Sequence, residues 1–163
     1  EELPISYQEP PHSCREESSR GSLDADEGWR WLVRLHPYRP GDPWPPPATA
    51  WLDWDKVTLP LQVHYFQAGA RFWPAGARGP KKLQDFLVNL KVPRWLRPYI
   101  PMLSDARQIL WIGGLRVAEP AKVTPATRNI LEVRLSPIQP ATRRVWEMLS
   151  ASRKQPPGDL GGN

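Results

Sequence analysis

Basic residues concentrate in one window of the chain, between positions 71 and 97. The window holds one acidic residue, Asp85, against seven basic ones: Arg71, Arg78, Lys81, Lys82, Lys91, Arg94 and Arg97. A dense cationic segment on a folded surface creates a positive potential that concentrates polyanions. The window therefore indicates nucleic acid as a partner, and the alternative is that these charges only solvate the surface.

Two of these cations, Lys81 and Lys82, stand at the start of a run with helical spacing. Apolar residues at i, i+3, i+4 and i+7 predict a helix over 80–90 that begins at Pro80: Leu83, Phe86, Leu87 and Leu90. Both lysines then fall in the first helical turn, where a cation is unfavourable by roughly 0.3–1 kcal/mol. Lysines beside free backbone N–H groups suit a phosphate, so we predict phosphate binding here.

A second pair of cations flanks a tryptophan just after this helix. Pro93 ends the helix and can open a short helical turn. Arg94 and Arg97 are three residues apart, so such a turn would project them together. Trp95 between them is either a core residue or a surface on which a base stacks.

No set of residues with catalytic or metal-binding spacing is visible. The three histidines, His12, His36 and His64, are scattered, and Ser104-Asp105 lacks the setting of a nucleophile elbow. The one cysteine, Cys14, lies among carboxylates that oppose a thiolate, and a single cysteine excludes an intrachain disulfide. We therefore predict no catalytic residue, no metal site and no cofactor-binding site in this sequence.

Composition divides the rest of the chain into four segments. Residues 1–28 carry a net charge of −6, from eight acidic and two basic residues, and are predicted to be an acidic flexible lead-in. Residues 29–47 combine a strand with a Pro-rich connector, residues 48–136 form the main domain, and residues 137–163 form a short helix and a flexible tail. No apolar run approaches the ~18–20 residues of a membrane span.

Short strands are expected to supply most of the scaffold. Alternating or apolar runs predict strands at 29–36, 51–54, 61–66, 108–112, 115–117 and 130–135. A hairpin turn is predicted at Gly113-Gly114, a loop at 69–80 and a second helix at 140–150. The predicted fold class is α+β: a small domain of short strands with one clear amphipathic helix, preceded by a strand-containing Pro-rich segment.

A series of motifs runs in a fixed order through residues 48–136. In chain order they are Arg71-Phe72, Pro74, Gly76, Gly79, Lys81-Lys82-Leu83, Lys91-Val92-Pro93, Arg97, Pro101 to Leu103, Ile109 to Gly113, residues 115–117, Lys122-Val123-Thr124 and residues 129–135. In this order they resemble the C-terminal domain of the tRNA(Ile)-lysidine synthetase (TilS) family. The resemblance adds Arg116 and Lys122 to the expected tRNA contacts.

Three positions depart from the family's pattern. Ala70 stands where the family usually has Asp, and His64 and Phe66 stand where it often has Arg. We therefore expect this strand end to bind less negative charge than in relatives, while the Lys-Lys-Leu and Lys-Val-Pro motifs keep their role.

The resemblance implies the activity of a larger parent enzyme. The family uses ATP, with magnesium, to adenylate the wobble cytidine of the isoleucine tRNA with a CAU anticodon, and then joins lysine to it. Its catalytic Ser-Gly-Gly-x-Asp-Ser loop is absent here and the first residue is Glu, so we expect an excerpt without the catalytic half. The resemblance implies a cytoplasmic protein whose C-terminal domain binds tRNA, mainly the acceptor stem, with no DNA or membrane partner.

A protein-interaction scaffold is the alternative function. In that case the Pro-rich segment 37–47 and exposed tryptophans would bind protein partners, and the basic window would only be solvated. Such a scaffold would recover proteins in a pull-down and show no RNA binding.

Overall fold

Short strands make up most of the fold, as expected for a chain with 21 prolines, because proline disrupts helix interiors. The structure is a computed structural model that describes residues 5–7 and 28–153. In chain order its elements are β1 (Ile5–Tyr7), β2 (Trp29–Pro37), β3 (Thr49–Asp53), β4 (Leu61–His64), β5 (Arg71–Phe72), β6 (Lys81–Lys82), α1 (Leu83–Asn89), β7 (Met102–Ser104), β8 (Ile109–Ile112), β9 (Arg116–Val117), β10 (Asn129–Pro137) and α2 (Pro140–Arg153). The predicted α+β class is confirmed.

Strand β10 is the centre of a three-stranded antiparallel sheet in the order β2-β10-β3. It pairs with β2 along its whole length, from Asn129 opposite Pro37 to Pro137 opposite Trp29. Leu131, Val133 and Leu135 are buried on one face of β10, which is the alternation expected of a strand with one face on the core. The strands predicted at 29–36, 51–54 and 130–135 are confirmed, and one sheet holds them all.

A second sheet has five strands in the order β1-β4-β7-β8-β9. All four residues of β8 are buried, and the predicted hairpin to β9 turns at Gly113-Gly114. Gly114 has a φ of +73°, a conformation that residues with a side chain rarely adopt. A Cβ at Gly113 would come within 2.6 Å of the Pro101 carbonyl oxygen, so this turn requires glycine at both positions. The strand predicted at 61–66 is confirmed as β4, which ends earlier than predicted, at His64.

Two strands of this sheet were not predicted. β7 joins β4 to β8, and β1 pairs in parallel with β4 although it lies within the predicted flexible lead-in. The other residues of the predicted lead-in and the predicted tail from 154 onward lie outside the described residues, apart from Gly28.

The predicted start of the first helix is wrong. α1 begins at Leu83, while Lys81 and Lys82 form β6, which pairs with β5 inside the predicted loop 69–80. The Leu83 N–H donates to the Ala70 carbonyl oxygen at 2.9 Å. This N–H therefore bonds to the residue just before β5 and not to a carbonyl oxygen of an earlier helical turn. The predicted apolar stripe is confirmed, because Leu83, Phe86 and Leu87 are buried in the core.

The second helix is confirmed and is longer than predicted, since α2 continues to Arg153. Val145 and Leu149 are buried, and Trp146 makes an edge contact with Trp29 at a centroid distance of 6.4 Å. The Thr142 hydroxyl donates to the Gly28 carbonyl oxygen at 2.6 Å, and this hydrogen bond holds the start of α2 beside β2. Neither helix in the described part of the chain is long and apolar enough to cross a membrane.

Candidate nucleic-acid interface

Two predicted site residues, Arg71 and Lys82, stand directly opposite each other in the β5-β6 pair. Opposite residues in an antiparallel pair share a face, and both side chains are exposed there. The Arg71 guanidinium donates to the Pro80 carbonyl oxygen at 3.2 Å, which holds it beside this short ladder. Like charges in such a position are destabilising by roughly 0.2–1 kcal/mol, so the fold gains nothing from this pair.

Lys82 is also the N-cap residue of α1. Its backbone is extended, with φ −61° and ψ 133°, and its side chain forms no capping hydrogen bond. An ammonium group cannot accept a hydrogen bond from the helix N–H groups, which is what a favourable N-cap side chain does. Lys81, one residue earlier, is half-buried in β6. The two lysines therefore precede the helix instead of occupying its first turn.

Lys91 lies at the other end of α1 in a left-handed conformation, with a φ of +57°. Its N–H donates to the Val88 carbonyl oxygen at 2.9 Å, and the Val92 N–H donates to that of Leu87 at 3.0 Å. Glycine is the usual residue at such a helix end because it has no Cβ penalty there. Lys91 is exposed, so this turn presents a cation at a position where the backbone favours glycine.

The turn after α1 gives different environments to the two arginines that were expected to act together. Arg97 is half-buried, and its Nε and Nη2 donate to the Val92 carbonyl oxygen at 3.3 and 3.2 Å. Arg94 is exposed, and Trp95 is 59% exposed, so Trp95 is a surface residue rather than a core residue. Arg97 thus fixes the Lys91-to-Pro93 turn, and Arg94 and Trp95 face solvent.

Arg116 joins the hairpin β8-β9 to the same helix. Its guanidinium lies 5.6 Å from the centroid of the Phe86 ring, a cation–π contact with α1. Burial lowers the pKa of Arg116, but an arginine remains charged at neutral pH. The helix is therefore flanked by Lys82, Lys91 and Arg116.

Lys122 has a different environment from the other predicted site residues. Its Nζ donates to Glu119 Oε1 at 2.6 Å, and Glu119 Oε2 accepts from the Gly76 N–H at 2.9 Å. These two hydrogen bonds lower the pKa of Glu119. Lys122 therefore has an anionic partner within the fold, whereas Arg78, at the tip of the loop after β5, is exposed and has no carboxylate partner among the described residues.

His64 lies where the resemblance expected an arginine. It is buried in β4, and its Nδ1–H donates to the Tyr65 carbonyl oxygen at 3.1 Å while Nε2 accepts from the Ser104 hydroxyl. Burial lowers the pKa of His64 more than the Tyr65 carbonyl raises it. The imidazole is therefore neutral at pH 7.

An exposed cation outside the basic window, Arg107, lies near Arg71. Both line an open polar depression together with His64 and Ser104. Arg107 was missed because it follows β7, and only the pairing of β7 with β4 brings it near Arg71. The described residues contain no group of three His, Cys, Asp or Glu side chains able to hold a metal ion.

Comparisons with known proteins agree with the motifs and the fold. Residues 61–135 match the sequence model of the TilS substrate C-terminal domain. The chain is 35% identical over 85 residues to the tRNA(Ile)-lysidine synthase of Clostridium tetani, which is 52% of this chain and 18% of that protein. It is 39% identical over 84 residues to the tRNA(Ile)-lysidine synthase of Dehalococcoides mccartyi, again 52% of this chain and 18% of that protein.

A solved structure shows the same fold. The crystal structure of a TilS C-terminal domain aligns with a TM-score of 0.59 over 85% of this chain and 95% of that one, at 22% identity. The match spans only about a fifth of the length of the Clostridium and Dehalococcoides proteins. Residues 61–135 thus match the TilS substrate C-terminal domain in sequence, and the chain shares the fold of a TilS C-terminal domain.

Proposed function

We propose that this chain is the tRNA-binding C-terminal module of a tRNA(Ile)-lysidine synthetase. The parent would be the ATP-dependent cytoplasmic ligase, using magnesium, that attaches lysine to the wobble cytidine of the CAU-anticodon isoleucine tRNA. The relatives bear the name of this enzyme, and the chain matches only their C-terminal region. The module itself would bind the tRNA and would carry no step of the reaction.

The observation that carries the proposal is the placement of Lys82 opposite Arg71. Two cations face one another across β5-β6, and neither forms an ion pair with a carboxylate of the described residues. A phosphate bound between them would turn this repulsion into attraction. Lys91 and Arg94, exposed after α1, extend the cationic surface toward further phosphates of the acceptor stem.

Such contacts hold a nucleic acid in place without reading its bases. Phosphate contacts fix register and orientation, and they make affinity strongly dependent on salt. Recognition of the isoleucine tRNA would then rest on the shape of the acceptor stem and on contacts made elsewhere in the parent enzyme.

The test is tRNA binding by the full chain over a range of salt concentrations. We expect the double variant Lys81→Ala, Lys82→Ala to bind more weakly and to lose about 0.9 from the slope of log affinity against log salt for each phosphate contact removed. The matched control is Arg143→Ala, Arg144→Ala, which removes two exposed charges from α2. Equal losses in the two double variants, or no binding by the wild type, would contradict the proposed site.

A further inference from the structure

An open groove lies between the Pro-rich segment and the turn that joins β8 to β9. Trp44 and the three prolines after it line one part, and Leu115 and Arg116 line another. Trp51 of β3 and Trp111 of β8 also line it. No carboxylate residue lines this groove, and apart from Thr49 and the cation Arg116 its lining is aromatic and aliphatic.

Trp44 is the most exposed large apolar residue of the described chain, with 69% of its surface accessible. Its ring lies 5.9 Å from that of Trp51 at an angle of 43°. Proline residues on both sides restrict the backbone, which lowers the entropic cost of ordering this segment when a ligand binds. A large ring presented in this way leaves one face open for a planar partner.

Trp51 provides a fixed support for this exposed ring. Its Nε1–H donates to Glu132 Oε1 at 3.0 Å, and its ring makes edge contacts with His36 and Tyr38 at centroid distances of 5.6 and 6.4 Å. A ring packed on several sides and held by a hydrogen bond does not need to be ordered when a ligand arrives. The groove is therefore preorganised for stacking.

Arg116 connects the groove to the cationic surface around α1. Arg116 lines the groove, and its guanidinium lies over the Phe86 ring of α1. An RNA whose phosphates contact the residues beside α1 would thus bring its next nucleotides toward Trp44. The bases of a duplex are already stacked on one another, so only unpaired nucleotides offer a free face to Trp44.

We propose that this groove binds an unpaired segment of the RNA, with a base stacked on Trp44 and a phosphate beside Arg116. The inference rests on the proposed function, because it takes the RNA to be held on the surface around α1. It adds a contact for single-stranded nucleotides to a module that otherwise holds phosphates.

The test compares three RNAs that share one hairpin stem: a blunt hairpin, and the same hairpin with four unpaired nucleotides at its 3′ end or at its 5′ end. We expect the full chain to bind one of the extended RNAs about 10-fold more tightly than the blunt one, the effect of a single stacked base. Trp44→Ala should abolish this preference and leave the affinity for the blunt hairpin unchanged, which also shows that the variant is folded. Trp44→Phe, which keeps an aromatic face, should retain most of it.

The outcomes separate this inference from the function on which it rests. If all three RNAs bind equally and Lys81→Ala, Lys82→Ala weakens them all, the proposed function stands and the groove proposal is overturned. A preference that survives Trp44→Ala overturns it as well, because the unpaired nucleotides then bind elsewhere on the protein. If the wild type binds none of the RNAs at low salt, both proposals fall.

Discussion

Lys82 occupies a position at which local stability favours a different residue. As N-cap of α1 it has no side-chain atom that accepts a hydrogen bond, and across β5-β6 it faces Arg71. Lys91, with its positive φ, is a second such position at the other end of the same helix. Residues that oppose local stability are typical of functional sites, and here both are exposed cations beside one helix.

Lys82→Asp should therefore stabilise the fold while weakening tRNA binding. Aspartate can cap α1 and pair with Arg71, and together these changes are worth about 1 kcal/mol. The loss of one cation and the gain of an anion should lower tRNA affinity more than the removal of charge alone. Urea unfolding measures the first effect, and titration of tRNA at fixed salt measures the second.

Lys82→Asn is the matched control for this prediction. Asparagine caps a helix about as well as aspartate, but it brings no negative charge opposite Arg71. We expect its stability to lie between those of the wild type and Lys82→Asp, and its tRNA affinity to resemble that of an alanine variant. If Lys82→Asp unfolds at a lower urea concentration than the wild type, the cross-strand repulsion is not significant.

The sequence shows where the cations are, but it does not show which of them bind a partner within the protein. Lys122 is bound to Glu119, and Arg97 holds the Val92 carbonyl oxygen, so each has a partner that charge counting cannot show. Arg71 and Lys82 come together only through strand pairing. Their roles in tRNA binding remain predictions, and the structure gives each a distinct environment.

At the scale of elements, long periodic segments were predictable, whereas the two-residue strands β5 and β6 were not. β10 has nine residues, and the sequence shows its alternation of buried apolar residues with other residues. β5 and β6 have two residues each, which is too few to show a period. The start of α1 was misplaced for the same reason. Hydrogen bonds from a neighbouring strand, not the helix's own sequence, decide that Lys81 and Lys82 are extended.

Glu132 links the three strands of the β2-β10-β3 sheet. It lies in β10, accepts from Trp51 of β3 at 3.0 Å and pairs with Arg34 of β2 at 2.9 Å. Burial opposes its ionisation, but the hydrogen bonds from Trp51 and Arg34 outweigh that effect and lower the pKa of Glu132. Its ionised form therefore stabilises the sheet at neutral pH.

This environment predicts acid-sensitive stability. A carboxylate with a lowered pKa in the folded state stabilises at pH values above its unfolded pKa, and this contribution is lost as pH falls through the folded pKa. Glu132→Gln should lower stability at about pH 7 and reduce the further loss on going to about pH 3.5, measured by urea unfolding. Glu147→Gln, at an exposed position of α2, is the control and should behave like the wild type. An unchanged pH dependence in Glu132→Gln would contradict this role.

At the scale of the whole molecule, the formal net charge of +5 conceals an uneven distribution. Residues 1–28 carry −6 and residues 29–163 carry +11. The acidic segment is covalently attached, so its effective concentration near the basic surface is high at any protein concentration. We therefore expect this segment to compete for the same cations with the tRNA of the proposed function.

Neutralising acidic residues of this segment should strengthen tRNA binding at low salt. The variant replaces five carboxylates with amides, which raises the formal net charge from +5 to +10: Glu16→Gln, Glu17→Gln, Asp24→Asn, Asp26→Asn and Glu27→Gln. We expect a gain in affinity at about 0.05 M salt that disappears near 0.5 M, where the Debye length falls to about 4 Å. The measurement is tRNA affinity for both proteins across that range. A gain in affinity that persists at high salt would mean that the segment acts by something other than its charge. No gain at low salt would mean that the segment does not compete with tRNA for the basic surface of the protein.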